Sequence, residues 1–253
     1  MKGVILAGGK GTRLNPLTYT CNKHLLKVGK EPMIYNPIRQ LVSAEIEDIL
    51  ITSSREHIKQ MQELVGEGER FNCRITYKAQ LEAKGIAHAL LLAEAFAQGD
   101  LMTVMLGDNI TTHSIKPYVE EFKKQGVGAK VLLKEVEDPQ RYGVAVLKED
   151  AITVIVEKPN KFISNMAVTG IYFYDSKVFD MIRATAPSNK GELEITPVNN
   201  MYMQLGQLTY NILEGKWTDA GTLSSLQYAE ELLLTIDNKI IKASEVNNND
   251  SIS

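Results

Sequence analysis

The chain has 253 residues, of which 44% are hydrophobic and 23% charged, with a formal net charge of −3. That length buries a substantial core as one large α/β domain or two small ones, and the nearly balanced charge excludes a global field for nucleic acid or an anionic membrane. Cys21 and Cys73 are the only cysteines and show no C-x-x-C spacing, which argues against a disulfide framework and a zinc site and suits a reducing compartment. The N-terminus enters a strand almost at once, and no apolar run approaches membrane-spanning length. The expectation is a soluble, cytoplasmic protein without a signal peptide.

In chain order, Val4, Ile5 and Leu6 form a short apolar run with two β-branched members, the pattern of a buried strand. Pro32 to Ala44 reads as a helix with proline in its first turn and Ile34, Ile38, Leu41 and Val42 on one face. Ile46 to Thr52 is a strand, Glu56 to Val65 a helix closed by Gly66, and Cys73 to Lys78 a strand with Ile75 and Tyr77 on one side. Gly85 to Phe96, apolar nearly all round, predicts a helix packed inside the domain, and Leu101 to Leu106 a buried strand. Strands alternating with helices imply right-handed crossovers, a mostly parallel sheet and ligands at the carboxyl ends of its strands.

The second half changes rhythm. Ile115 to Gln125 reads as a helix and Ala129 to Val136 as a strand, and Val144 to Leu147 faces Ile152 to Glu157 as an antiparallel hairpin. Met166 to Tyr174, Ser176 to Arg183, Glu194 to Leu205 and Leu208 to Leu213 follow as strand, helix, helix and strand. Leu223 to Ile236 is a final amphipathic helix, and the tail from about Ala243 has too little apolar content to pack, so 243–253 is expected to be disordered. With no repeat or linker dividing the chain, 1–240 reads as a single domain.

The chemistry is announced directly after the first strand. Gly8, Gly9 and Gly11 free the backbone for close approach, and Thr12 and Arg13 add a hydroxyl and a permanent charge. Such a loop at a strand's carboxyl end turns several backbone N–H groups toward one point, which suits phosphate. The third glycine of a dinucleotide fingerprint is missing, as are the lysine and hydroxyl of a G-x-x-x-x-G-K-[ST] loop. A tight strand-to-helix turn is the plain alternative, and three glycines with an arginine favour phosphate over it.

Further along, Asp108 follows the apolar strand end Val104-Met105-Leu106-Gly107, and Asp219 stands just before the last helix. Two distant carboxylates suit Mg²⁺, which takes one or two protein oxygens and leaves its other positions to phosphate and water. A turn residue and a helix N-cap are the structural alternatives for the two. Gln80 and Gly85 pair an amide able to donate and accept with backbone access, the means to read a base edge. His24, His57, His88 and His113 have no metal-ligand spacing, and no nucleophilic trio stands out, so covalent catalysis is not expected.

LAGGKGTRL at Leu6 to Leu14, Asn22 to Leu26, Pro32 to Ile34, Gln80 with Gly85, LGDN at Leu106 to Asn109, EKP at Glu157 to Pro159, VTGIYFYD at Val168 to Asp175, GELEIT at Gly191 to Thr196 and WTDAGT at Trp217 to Thr222 together resemble the sugar nucleotidylyltransferases. Among these the pattern is most similar to the glucose-1-phosphate thymidylyltransferases, up to about Thr235. The resemblance implies a Rossmann-like α/β nucleotidyltransferase fold, a mixed, mostly parallel sheet flanked by helices. A nucleotide-binding half over about 1–110 would be followed by a smaller sugar-phosphate-binding subregion over about 111–240. It also implies Mg²⁺-dependent thymidylyl transfer from dTTP to α-D-glucose 1-phosphate, giving dTDP-glucose and pyrophosphate, the first step of dTDP-rhamnose-type synthesis.

By the same resemblance Leu6, Gly8, Gly9, Gly11, Thr12, Arg13, Gln80, Gly85 and Asp108 would bind the nucleotide, and Asp108 and Asp219 the metal. Lys23, Gly143, Glu157, Lys158, Val168 and Lys190 would bind the sugar phosphate, with Arg13, Lys23 and Lys158 as the catalytic cations. Glu157 and Lys158 are neighbours, so they can serve one ligand only if the strand stops there, as Pro159 encourages. Lys190 stands where the thymidylyltransferase pattern has arginine, and keeps the charge without the bidentate fork. Pro197 replaces the acidic residue usual after Thr196. The chain also ends before the C-terminal helices of longer members, so a monomer or dimer is expected rather than their tetramer. UTP or another hexose 1-phosphate is the nearest rival reading; a nucleotide-binding regulatory protein without turnover is the rival from another class.

Overall fold

A computed structural model describes residues 1–235. The first half contains β1 (Lys2–Ala7), β2 (Lys27–Val28), β3 (Glu31–Pro32), α1 (Tyr35–Ser43), β4 (Asp48–Ser54), α2 (Ile58–Val65), β5 (Arg74–Gln80), α3 (Ile86–Leu91), α4 (Glu94–Ala97) and β6 (Met102–Leu106). The second half contains β7 (Asn109–Thr111), α5 (Lys116–Gln125), β8 (Ala129–Glu135), β9 (Gly143–Lys148), β10 (Ala151–Glu157), β11 (Met166–Tyr174), α6 (Val178–Ala184), α7 (Ile195–Gln204), β12 (Leu208–Ile212) and β13 (Trp217–Asp219). The chain is again helical over 223–235. Ile236 and the tail expected to be disordered lie outside the described residues.

Among the described residues the main sheet has nine strands, in the order β10-β9-β11-β6-β1-β4-β5, with β8 on β11 and β12 on β8. β1 pairs in parallel with β4 and β6, β4 with β5, and β8 with β12; only β10 and β11 run the other way. This is the mixed, mostly parallel sheet expected, and it joins strands from both halves of the chain. β1 explains its own central place: Val4 and Leu6 point into one core with α3, α6 and α7, and Ile5 and Ala7 into another with α1, α2 and α5. A strand apolar on both faces must sit between two helical layers. Among the described residues no helix is long and apolar enough to cross a membrane.

The structure differs from the sequence pattern in three places. Pro32 does not start α1: Glu31–Pro32 pairs with Lys27–Val28 as a small hairpin across Gly29, whose φ is 65°, and the helix begins at Tyr35. The expected helix from Gly85 to Phe96 is broken, because Leu92 N donates to Ala89 O and Ala93 N to Leu90 O, and these i→i−3 bonds tighten the turn between α3 and α4. The two-stranded sheet of β7 and β13 was not foreseen. Each of its strands has three residues, too few for a period to show.

Candidate active site

That small sheet does the decisive positioning. It is antiparallel, with Trp217 opposite Thr111, Thr218 opposite Ile110 and Asp219 opposite Asn109, and Ala220 N extends it by donating to Asp108 O at 2.8 Å. Two aspartates 111 positions apart in sequence are thereby fixed side by side. The helix over 223–235 packs behind: Ala229, Leu226 and Leu233 join Val28, Met33, Ile110 and Ala220 in a small apolar cluster.

The cleft above the carboxyl end of β1 has a volume of about 330 Å³. Arg13, Asp108 and Asp219 line it together, with Leu6, Gly8, Gly9, Lys23, Gln80 and Gly85 toward one end and Gly143, Glu157, Lys158 and Val168 toward the other. Three predicted residues are not on its wall. Gly11, with φ 63°, caps the short 3-10 turn over Thr12–Leu14 and accepts a hydrogen bond from Thr18 Oγ1. Thr12, inside that turn, is exposed. Lys190 is exposed on the turn before α7, and the cleft meets the neighbouring Glu192 and Glu194 instead.

Asp108 is 8% exposed. Burial disfavours its charge, but the Lys23 ammonium, ion-paired to Oδ2, and the Asn109 side-chain amide, donating to Oδ1 at 3.0 Å, hold the carboxyl well below its usual range. Asp219 behaves oppositely. Burial first, and the charge of Asp108 second, push its carboxyl up, against Arg141, the Tyr142 hydroxyl and Arg13. A Cβ built on Gly221 would meet Arg13 Nη2 at 3.0 Å and Asp219 Oδ2 at 3.2 Å, so the glycine-loop arginine and this carboxylate converge over one small residue. Two repelling carboxylates, each retaining an oxygen not held by a neutral or backbone donor, form a donor set that fits a divalent cation. Among the described residues no third acidic, histidine or cysteine side chain completes a cage, which matches the Mg²⁺ habit of leaving most positions to phosphate and water.

At one end of the cleft Gln80 is 5% exposed, and its Oε1 would lie 2.5 Å from a Cβ on Gly8, so the glycine lets the loop lie against the amide without displacing it. Gly85, at φ 96°, has no room for a Cβ, which would fall 2.4 Å from Leu193 O. At the other end β10 stops at Glu157 and Lys158 turns to φ 43°, its N–H donating to Tyr142 O at 2.9 Å. That left-handed residue lets adjacent side chains reach one cleft, with Lys158 Nζ 3.2 Å from Glu157 Oε1. Glu157 Oε2 also accepts from Thr196 Oγ1 at 2.6 Å. The carboxyl of half-buried Glu194 is raised by burial and then by Glu157.

His24 is a satisfied core residue: it is 1% exposed, with Nδ1 2.6 Å from Asn22 Oδ1, and burial, followed by the charge of Lys23, lowers its pKa to about 3. Sequence reasoning missed Arg141, Tyr142, Asn109 and Trp217, all on the cleft wall. Asn109 and Trp217 stood inside the LGDN and WTDAGT stretches without a role of their own, and Arg141 and Tyr142 had only their nearness to Gly143 as a signal.

The profile of the nucleotidyl transferase family matches residues 2–235. A glucose-1-phosphate thymidylyltransferase of Neisseria meningitidis is 40% identical over 243 residues, 94% of this chain and 84% of that protein. One from Xanthomonas campestris pv. campestris is 42% identical over 240 residues, 93% of this chain and 81% of that protein. Among solved structures, a Bacillus anthracis protein assigned as a glucose-1-phosphate thymidylyltransferase, in complex with a sucrose, superposes with a TM-score of 0.89 at 52% identity over 92% of this chain and 94% of that one. A UDP-glucose pyrophosphorylase complexed with UDP-glucose superposes with a TM-score of 0.82 at 25% identity, over 92% and 98% respectively.

Proposed function

Since the chain belongs to the nucleotidyl transferase family, alongside the glucose-1-phosphate thymidylyltransferases, we propose that it transfers a thymidylyl group from dTTP to α-D-glucose 1-phosphate and releases pyrophosphate. A phosphate oxygen of the sugar phosphate forms the new bond to the α-phosphorus, and the bond from that phosphorus to the bridging oxygen of the pyrophosphate breaks in line. The nucleophile is already an anion, so no general base has to take a proton from it. This accords with a cleft in which the one lining histidine, His24, is buried and neutral.

Asp108 and Asp219 are the residues that would hold Mg²⁺, which when bound offsets the charge of the triphosphate. Arg13 and the amides of the glycine loop receive the departing pyrophosphate. Lys23 exchanges Asp108 for the phosphate oxygens near the reacting phosphorus, where its charge counts most in the transition state. Gln80 and the backbone at Gly85 read the pyrimidine edge, with Leu6 against the nucleoside. Glu157 takes sugar hydroxyls, Lys158 the sugar phosphate, and Gly143 and Val168 the faces of the ring.

The single observation behind this reading is the β7–β13 pairing that sets Asp219 opposite Asn109, in a cleft shared with Arg13 and Lys23. Pyrophosphate release is the test, measured with Mg²⁺, glucose 1-phosphate and either dTTP or UTP. Release with dTTP in preference to UTP is expected; a preference for UTP would replace the thymidylyl assignment. No release with either nucleotide, although both bind, would leave a nucleotide-binding protein without turnover.

A further inference from the structure

Asp219 is held by its neighbours on the cleft wall. Its Oδ1 accepts from the Tyr142 hydroxyl at 2.9 Å and from Arg141 Nη2 at 3.2 Å. The Tyr142 ring leans on Trp217 with centroids 5.3 Å apart, and Trp217 Nε1 donates to Asn109 Oδ1 at 2.8 Å. Asn109 in turn donates to Asp108 Oδ1 at 3.0 Å, and its own Oδ1 also accepts from Gly170 N at 2.8 Å. Arg141 is braced by Asp138, which accepts from Nη1 at 3.1 Å. Each aspartate therefore has Oδ1 committed to fixed donors, and the two arrangements meet at Trp217. For Asp219 this leaves Oδ2, the oxygen that shares the space over Gly221 with Arg13.

We propose that Tyr142 is a positioning residue for Asp219, with Arg141 as its partner: together they fix the carboxylate so that Oδ2 is the ligating atom. The inference rests on the reading of Asp108 and Asp219 as the metal pair. A carboxylate has a broad, nearly two-fold terminal torsion and does not choose an orientation by itself. A hydroxyl donor sets the plane without adding charge, and the guanidinium offsets the like charge of Asp108. Outer partners of this kind tune affinity: their loss costs about 10–100-fold in metal binding.

The test is an electron-paramagnetic-resonance titration of Mn²⁺ into the whole protein, alone and then with dTTP, without sugar phosphate so that nothing turns over. Tyr142→Phe keeps the ring against Trp217 and removes only the hydroxyl; it is expected to weaken Mn²⁺ binding about tenfold with the circular dichroism of the parent retained. Arg141→Gln is the second variant and is expected to act in the same sense. Asp219→Asn is the control for the metal pair and is expected to lose the site. Mn²⁺ affinity of Tyr142→Phe and Arg141→Gln within twofold of the parent, with the site lost in Asp219→Asn, would overturn the positioning role and leave the metal pair standing. Parent-like affinity in Asp219→Asn would remove the metal pair, and the proposal with it.

Discussion

Replacing Lys23 with methionine keeps most of the side chain's volume and deletes its charge. The pair it breaks is well shielded, with 14% of the Lys23 side chain and 11% of the Asp108 side chain exposed. Asp108 would keep the Asn109 bond and lose the ammonium whose charge outranks every other factor lowering its pKa. Leaving a buried carboxylate unpaired costs about 3–5 kcal/mol. At roughly 2–4 °C per kcal/mol for a domain of this size, the midpoint falls by about 10 °C. In the parent, the depressed carboxyl contributes stability that is present above the unfolded carboxylate pKa and is lost as pH falls through the still lower folded value. In the variant, burial dominates and the folded pKa rises, so the deficit is greatest at neutral pH and shrinks toward pH 4. Thermal unfolding at pH 7.5 and pH 4.5 measures both effects, and the double variant with Asp108→Asn is expected to recover most of the loss. A single variant within 1 °C of the parent at pH 7.5, or a double variant no better than the single, would refute the reasoning.

Asp108→Asn is expected to lose activity by on the order of a thousandfold or more while retaining the parent's circular dichroism; pyrophosphate release at the parent rate would remove the metal assignment. Because His24 has a folded pKa of about 3, its contribution is complete above the unfolded value near 6.5 and is lost as pH falls toward 3, so urea unfolding at pH 4.5 is expected to show about 2–3 kcal/mol less stability than at pH 7.5 from this group. His24→Gln should lack that increment, and equal pH slopes for the two proteins would contradict the burial argument. Lys190→Ala is expected to change the KM for glucose 1-phosphate less than threefold, and Lys158→Ala to raise it more than tenfold, by the rule that a charge-assisted hydrogen bond contributes about 1.5–3 kcal/mol. Steady-state kinetics would reverse the placement if Lys190 proved the more costly loss.

Much of this architecture was readable from local pattern. Met166–Tyr174 has the bounds its apolar run predicts, and Ile195–Gln204 and Leu208–Ile212 lie within a residue of theirs, because burial on one or both faces writes a period into the chain. Periodicity carries nothing about a ladder of three residues, and so the pairing that unites Asp108 with Asp219 was invisible, although both aspartates were singled out. Long-range partners were equally silent. Tyr142 is an ordinary tyrosine beside a strand until the fold brings Trp217 and Asp219 to it. Lys190 illustrates the converse, since a position matched by lettering alone lands on an exposed turn, where Glu192 and Glu194 face the cleft in its stead.

The location of β13 near the end of the described chain has a consequence for biogenesis. Translation proceeds from the amino end, so β1, β4, β5 and β6 can dock while Trp217–Asp219 is still inside the ribosome. A nascent chain at that stage owns the glycine loop and Asp108 but lacks the second carboxylate. On the proposed reading, the metal pair is complete only after Trp217–Asp219 has emerged and paired with β7.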